Sequence, residues 1–465
     1  MGKARRLLFA HIARFSPMIH RLYQALLPLS LRTTLGQFRN KITQWWRSHP
    51  PVKTIRCWCI RQRVSTAAAQ RKRLKRLRSL LEGGKPINVV FEVTGISKWK
   101  ADSVLRLMME HPRFNPIVWH VSYTKKEGTE RDLKEQAQCR EYFTPIGAKL
   151  VGYASLADFP AEEKPDIIFP DEPYDIFTYS TPHNKGLLKY LWCFIPYDYA
   201  SSVCRENKEQ IITNGALFEF YENDATARAA ARIMTNGGIN AIVSGHAMAD
   251  AYLFPPQPRP IVWKPCQGRM KRVIWAPHWT IEKEICWLYF GTFLQTGKIL
   301  LEMAEKYQGQ IQFAFKPHPN LYDILCEHSQ WGREKADAFY AKWQEMPNTQ
   351  FEDGAYADLF MQSDAMIHDC ASFMLEYLYA DKPCMFLKDP GNHQEYSAMA
   401  EDCLNAYQIG VTREEIEEFL QMVLRGEDPK AEVRRELRKK YLIPPHGQSA
   451  AQNIIDCLLM QERHG

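Results

Sequence analysis

Two hydrophobic periods alternate along most of this chain. Short, largely apolar runs suited to strands buried on both faces occur at Ile87–Val93, Ile117–Val121, Asp166–Phe169 and Asn240–Ser244, then at Val273–Trp275, Ile311–Phe315, Ala365–Ile367 and Cys384–Leu387. Between them lie segments with apolar residues every three or four positions. Ala101–Glu110 carries Val104, Leu105 and Met108 on one face; Glu130–Glu141, residues 284–307 and Ala450–Leu459 follow the same rule. Strands that alternate with helices predict an α/β protein whose parallel sheets are covered on both faces. The alternation breaks at Pro255–Pro260, PPQPRP, a stiff connector, and restarts at Val273. The pattern therefore predicts two Rossmann-like, doubly wound lobes, residues 85–254 and 261–465, with a cleft between them.

Ser363–Leu387, SDAMIHDCASFMLEYLYADKPCMFL, is the most telling unit. It reads as a strand, a tight turn through Asp369, Ala371 and Ser372, a helix that stops before Pro383, and a second strand. Backbone N–H groups at such a turn, at the carboxyl end of a strand, favour an anion such as a diphosphate. A plain helix cap from Asp369 or Ser372 explains the same residues. Two more turns close second-half strands: Ala276-Pro277-His278-Trp279 and Lys316-Pro317-His318-Pro319. A histidine between two prolines has a preset backbone, and with Lys316 it offers charge or hydrogen bonds to a diphosphate. Thr412–Glu415 reads as a capping box.

Charge adds a third region. Residues 1–81 hold 19 Lys and Arg and no Asp or Glu, whereas the remainder holds 41 basic and 53 acidic residues. Leu8, Phe15, Leu22 and their neighbours recur at helical spacing among these charges, and Trp45, Trp46 and Trp58 suit a headgroup interface. Residues 1–84 are thus expected to form a basic, helical arm on an anionic membrane surface, with no nucleic acid as partner. Two other readings remain: a nucleic-acid-binding arm, and a helical hairpin packed on the body with its charges solvated. No run reaches the length needed to span a bilayer. The 12 cysteines form no Cys-x-x-Cys pair, and Cys57-Trp58-Cys59 lacks further ligands for a metal.

VSGHAMAD (243–250), VIWAPHW (273–279), FKPHP (315–319), the unit at 363–386 and HGQSAAQNIID (446–456) resemble, in order, the CDP-glycerol glycerophosphotransferase family. These are teichoic-acid polymerases and primases with the two-lobed GT-B fold. The resemblance implies that His318 stabilises the donor diphosphate and leaving group. It likewise places Lys316, His278, Asp369, Ala371 and Ser372 at the donor, with Glu376 on the ribose. The family's Asp-Tyr-Ser-Ser turn becomes Asp369-Cys370-Ala371-Ser372, with one hydroxyl lost, and its arginine after the first turn becomes Thr280. A first-lobe histidine that resembles the acceptor-activating base has no counterpart in Trp192–Asp198, which leaves Asp198, His183 and His246 as candidates.

The resemblance implies transfer of glycerol phosphate or ribitol phosphate from a CDP-linked donor to a lipid-linked or glycan hydroxyl, with release of CMP at the cytoplasmic membrane face. The chain has no Asp-x-Asp motif, and neither metal nor cofactor is expected. A GT-B glycosyltransferase and a non-catalytic GT-B relic are the alternatives.

Overall fold

The computed structural model describes residues 58–461 apart from 122–129, 174–188, 198, 200–209, 256–257, 267, 283–289, 355 and 392–395. Thirteen strands are described, in two sheets. The first lobe contains β1 (Ile87–Val93), β2 (Phe114–His120), β3 (Leu150–Val151), β4 (Ile167–Phe169), β5 (Leu191–Phe194), β6 (Phe218–Tyr221) and β7 (Ala241–Val243). Their order across the sheet is β3-β2-β1-β4-β5-β6-β7, and the pairs are parallel. The second lobe contains β8 (Lys271–Ala276), β9 (Ile311–Phe315), β10 (Thr349–Phe351), β11 (Ala365–His368), β12 (Cys384–Leu387) and β13 (Gln408–Gly410). These lie in the order β10-β9-β8-β11-β12-β13, again with parallel pairs.

Burial on both faces explains why these strands are continuous apolar runs. Val89, Val90 and Phe91 of β1 are sealed, Val90 against Trp119 and Ile168 on one face and its two neighbours against the opposite layer. Each sheet reverses direction once, between β1 and β4 in the first lobe and between β8 and β11 in the second. At such a switch point the two flanking loops diverge and leave a crevice beyond the strand ends, where α/β proteins bind their ligands. The second crevice opens between the loops that begin at Pro277 and Asp369. Both had been picked out by their residue types.

Two segments lie differently from the expected boundaries. The helix Ala67–Glu82, assigned to the arm by its charge, is built into the first lobe. Leu77 is wholly buried in the core with Val104, Leu105 and Met108, and Leu74, Leu80 and Leu81 pack beside it. Gln70 Nε2 donates to Leu217 O at 2.7 Å, and Arg113 Nη2 donates to Leu81 O at 2.8 Å. The chain divides between Ile60 and Arg61, so the basic run Arg71–Arg78 is the solvated face of a lobe helix. The membrane expectation for the rest of the arm falls on residues 1–57, outside the described residues.

The last helix, Ala450–Leu458, also leaves the lobe that precedes it. Ile454, Ile455 and Leu458 join the first lobe's core. Asp250 fixes its start, accepting from the N–H groups of Ala450 and Ala451 at 2.8 Å each, and Asn453 donates to Ser244 O at 2.9 Å. Gly245 (φ 82°) has no room for a side chain, because a Cβ there would stand 2.6 Å from Pro444. The paired segments 243–250 and 446–456 are therefore a clasp between the end of the chain and the first lobe. Aromatic residues fill the junction: Tyr252 stacks on Tyr379 at 4.9 Å, and Tyr199 donates to the Tyr379 hydroxyl at 2.7 Å.

Candidate active site

Asp369 organises the second-lobe crevice. Its carboxylate, fully buried at the end of β11, accepts from His278 N at 2.6 Å on one oxygen. The other oxygen accepts from Thr292 N at 2.6 Å and Thr292 Oγ1 at 2.9 Å. The aspartate thereby ties the loop after β8 to the start of the helix Phe293–Lys306. It does not cap its own helix. Burial pushes its carboxyl up to about 7, against the pull of these three donors. The assignment of its carboxylate to the donor gives way to a positioning role, because both oxygens already hold protein N–H and O–H groups.

The helix after this turn is shorter than its apolar spacing suggests. An α-helical turn over Phe373–Glu376 tightens into a 3₁₀ turn over Tyr377–Ala380, and Asp381 closes it in the left-handed conformation at φ 51°. Met374, Leu375, Tyr377, Leu378 and Tyr379 are all buried, so the segment is packed on every side and Lys382-Pro383 ends it. Ser372 has helical backbone angles and makes no capping bond; its Oγ lies 3.1 Å from Cys370 Sγ. Ala371 is buried and presents only backbone.

His278 and His318 meet at the mouth of this crevice, their ring centroids 5.0 Å apart. Both rings are held through Nδ1, that of His278 also lying 2.8 Å from Thr280 Oγ1. Thr280 N donates to Nδ1 of His278 at 3.3 Å, and Asn320 N donates to Nδ1 of His318 at 3.1 Å. An Nδ1 that accepts from a backbone N–H puts the hydrogen of a neutral imidazole on Nε2. Desolvation by Trp279, Phe290 and His318 holds the His278 ring down at about 3, so it stays a neutral donor at physiological pH. Proline on both sides and a bond from His318 N to Pro277 O (2.9 Å) lock the two loops together.

A second cluster lies where the lobes meet. Lys316 is buried with its Nζ 3.0 Å from Gly354 O and 4.9 Å from the Tyr356 ring centre. From the first lobe, Lys100 donates to the Tyr356 hydroxyl at 2.9 Å. Burial, with Lys100 nearby, lowers the Lys316 ammonium to about 8. Glu376, also buried, accepts from the Tyr252 and Tyr356 hydroxyls at 2.7 and 2.9 Å. Its carboxyl is raised by desolvation, against the pull of Lys100 and Lys316. Two lysines and a carboxylate thus surround one tyrosine, with ligands drawn from both lobes. Tyr356, Tyr252, Lys100 and Thr292 escaped the sequence reading because their significance depends on contacts 20 to 256 residues away along the chain.

Of the three residues considered for the acceptor base, Asp198 and His183 lie outside the described residues. His246 is buried at 3% exposure, with its ring stacked on Tyr199 at 4.3 Å and its Nδ1 accepting from Met248 N at 3.2 Å. It packs in the clasp around Asp250, buried against an aromatic ring. Among the described residues no group of His, Cys, Asp and Glu is arranged to hold a metal ion.

Two α/β lobes, each built on a parallel sheet with one switch point, define a protein of the two-lobed GT-B class. Residues 270–459, the whole of the second crevice included, match the family described as CDP-Glycerol:Poly(glycerophosphate) glycerophosphotransferase, and the chain is accordingly a transferase. Its fold is similar to that of a variant of the wall teichoic acid polymerase TagF, at 12% identity and a TM-score of 0.55, covering 87% of this chain and 97% of that one. It is also similar to the UDP-GlcNAc 2-epimerase from Neisseria meningitidis, at 14% identity and a TM-score of 0.48, covering 80% and 99%. No curated protein matches the sequence.

Proposed function

We propose that this chain transfers glycerol phosphate or ribitol phosphate from a CDP-linked donor to a hydroxyl of a lipid-linked or glycan acceptor, in synthesis of a cell-surface polymer. One observation carries the reading: the family match over residues 270–459 coincides with a crevice at which His278 and His318 meet from two strand-end loops, the second of which also carries the Lys316 ammonium. In this reading the diphosphate lies across the loops 276–280, 316–319 and 369–372. His318 donates to the oxygen that leaves with CMP, His278 to a neighbouring phosphate oxygen, and Lys316 supplies charge from the lobe junction. Ser372 Oγ and the backbone of Ala371 lie on the same mouth and bind phosphate rather than react.

Glu376 is half of the lobe junction in this scheme, and a ribose hydroxyl would compete with Tyr252 or Tyr356 for it. Among the described residues no helix is long and apolar enough to cross a membrane. Attachment to the cytoplasmic face of the membrane is assigned to the basic residues 1–57, whose Lys and Arg each contribute about 1 kcal/mol near an anionic surface.

A thermal-shift comparison of CDP-glycerol, CDP-ribitol, UDP-GlcNAc and ATP on the full chain tests this donor class. A ligand that binds only the folded state raises its stability in proportion to the logarithm of its concentration above Kd. CDP-linked polyols should raise Tm and UDP-GlcNAc should not; the reverse order would replace the reading with that of a glycosyltransferase.

A further inference from the structure

The first lobe has a switch point of its own, and a recess opens there. Phe91, Lys98, Trp99, Lys100, Phe169 and Asp171 are among its walls, at the carboxyl ends of β1 and β4 where the strand order reverses. An apolar floor with a few convergent polar groups at such a position is what a small-ligand site requires. We infer that Asp171 is the catalytic base of this transferase and takes the proton from an acceptor hydroxyl bound in that recess. The inference rests on the transferase function proposed above and supplies the base that Trp192–Asp198 does not offer as a histidine.

Three observations carry it. The first is orientation. Thr94, at the end of β1, donates to Oδ2 of Asp171 through both its N–H and its Oγ1, at 2.6 Å each. Oδ1 is left without a hydrogen-bond partner among the described residues, on a half-buried side chain that lines the recess. A base held by one oxygen and open at the other is preorganised to accept a proton.

The second observation is charge. The groups around the carboxylate are Glu172, paired with Lys98; Glu92 on β1; Lys100; and Glu135 and Cys139 from the helix Glu130–Phe143. Burial and then Glu172 raise Asp171 to about 6, while Thr94 and Lys98 restrain the rise. It is ionised at neutral pH and still a stronger base than an ordinary aspartate.

The third is position. Lys100 lines the recess and bonds Tyr356, against whose ring Lys316 lies, and Lys316 opens the loop that holds His318. A chain of contacts, Lys100 to Tyr356 to Lys316, thus links the recess to the second-lobe loop that carries His318. In the step this arrangement allows, the acceptor oxygen forms a bond to the β-phosphorus of the donor and the bond from that phosphorus to the bridging oxygen breaks. CMP leaves with the electron pair, and the acceptor proton passes to Oδ1 of Asp171.

The test uses the full chain with CDP-glycerol as donor and a glycerol-phosphate oligomer as acceptor, following CMP release. Asp171→Asn should lower kcat on the order of 100-fold or more, while Tm and the stabilisation by CDP-glycerol stay unchanged. Asp171→Glu should restore part of the loss. In the wild type kcat/KM should rise with pH through about 6 and then level; Asp171→Asn should lack that limb, and Thr94→Val should move it upward by removing the Oγ1 bond that favours the anion while the backbone N–H bond stays. Turnover by Asp171→Asn within threefold of the wild type overturns the inference and leaves the transferase function standing. Loss of Tm together with turnover overturns it in favour of a purely structural Asp171. A wild-type chain that CDP-glycerol neither stabilises nor reacts with overturns the donor class, and the inference with it.

Discussion

His318 and Asp369 illustrate two ways in which a single side chain commits a loop to chemistry. His318 receives a backbone N–H on Nδ1, which sets the direction of the Nε2 side of its ring. Removing one preorganised donor from a site of this kind costs on the order of 100-fold in turnover. His318→Ala is expected to show that loss with Tm nearly unchanged, since a half-buried loop residue leaves little cavity, and His318→Gln should recover part of it by restoring an N–H. Steady-state kinetics beside thermal unfolding checks this; equal turnover by His318→Ala would remove the residue from the mechanism.

Asp369 acts through the backbone it holds. Asp369→Asn places an amide where N–H and O–H groups point, and the unsatisfied donors should cost about 2–3 kcal/mol, measured by urea unfolding. The pH dependence carries its own sign. The folded value, raised from 3.8 to about 7, lies above that of the unfolded chain, so the folded state binds the proton more tightly. This contribution to stability is fully present below about pH 4 and is lost as pH rises to about 7. The difference between wild type and Asp369→Asn should therefore change with pH across that window and be flat above it. The spacing of Asp369 after β11 was legible in the sequence, but its partner Thr292, 77 positions away, was not, because no pattern in the intervening chain joins the two.

At the scale of elements, apolar period identified the longer strands and failed where charge or brevity obscured it. Ile87–Val93, Ile311–Phe315 and Cys384–Leu387 coincide with β1, β9 and β12, and Thr412–Glu415 forms the capping box in full. The strands β3, β10 and β13, of two or three residues each, are not marked by the pattern, whereas β4 and β7, three residues each, lie within runs that are. The charge of the helix Ala67–Glu82 points to the arm because its seven charged residues and one amide outweigh four leucines in composition, yet those leucines fall on one face and reach the core. A chain beginning at Arg61 should accordingly stay folded and keep donor-dependent stabilisation while losing sedimentation with vesicles rich in phosphatidylserine. A chain beginning at Lys85 should fail to fold, and Leu77→Ala alone should cost about 2–5 kcal/mol. Equal Tm for the chains from 61 and from 85 would return the helix to the arm.

At the scale of the whole molecule the two lobes are coupled through Tyr356. Burial and then Lys100 of the first lobe lower the ammonium of Lys316 in the second, so the lobe junction sets the charge offered to a donor. A folded value of about 8 means that Lys316 loses its charge as pH rises through 8, and affinity for a CDP-linked donor should fall there. Lys100→Met should move that fall to higher pH, because the like charge is gone, and Lys316→Met should abolish it; calorimetric titration from pH 7 to 10 reads both. A fall at the same pH in all three proteins would show that another group is titrating. The two-lobed architecture was legible from alternation alone, whereas the closing helix was not, since the clasp of Asp250 on Ala450 and Ala451 joins positions 200 and 201 residues apart.

The most direct test of the whole account is the identity of the small product when the full chain is given CDP-glycerol and a glycerol-phosphate oligomer. Phosphorus NMR of the reaction should show one CMP for each glycerol phosphate added to the oligomer, with His318→Ala slowing both signals together. Release of CDP in place of CMP, or growth of the oligomer without either nucleotide, would contradict it.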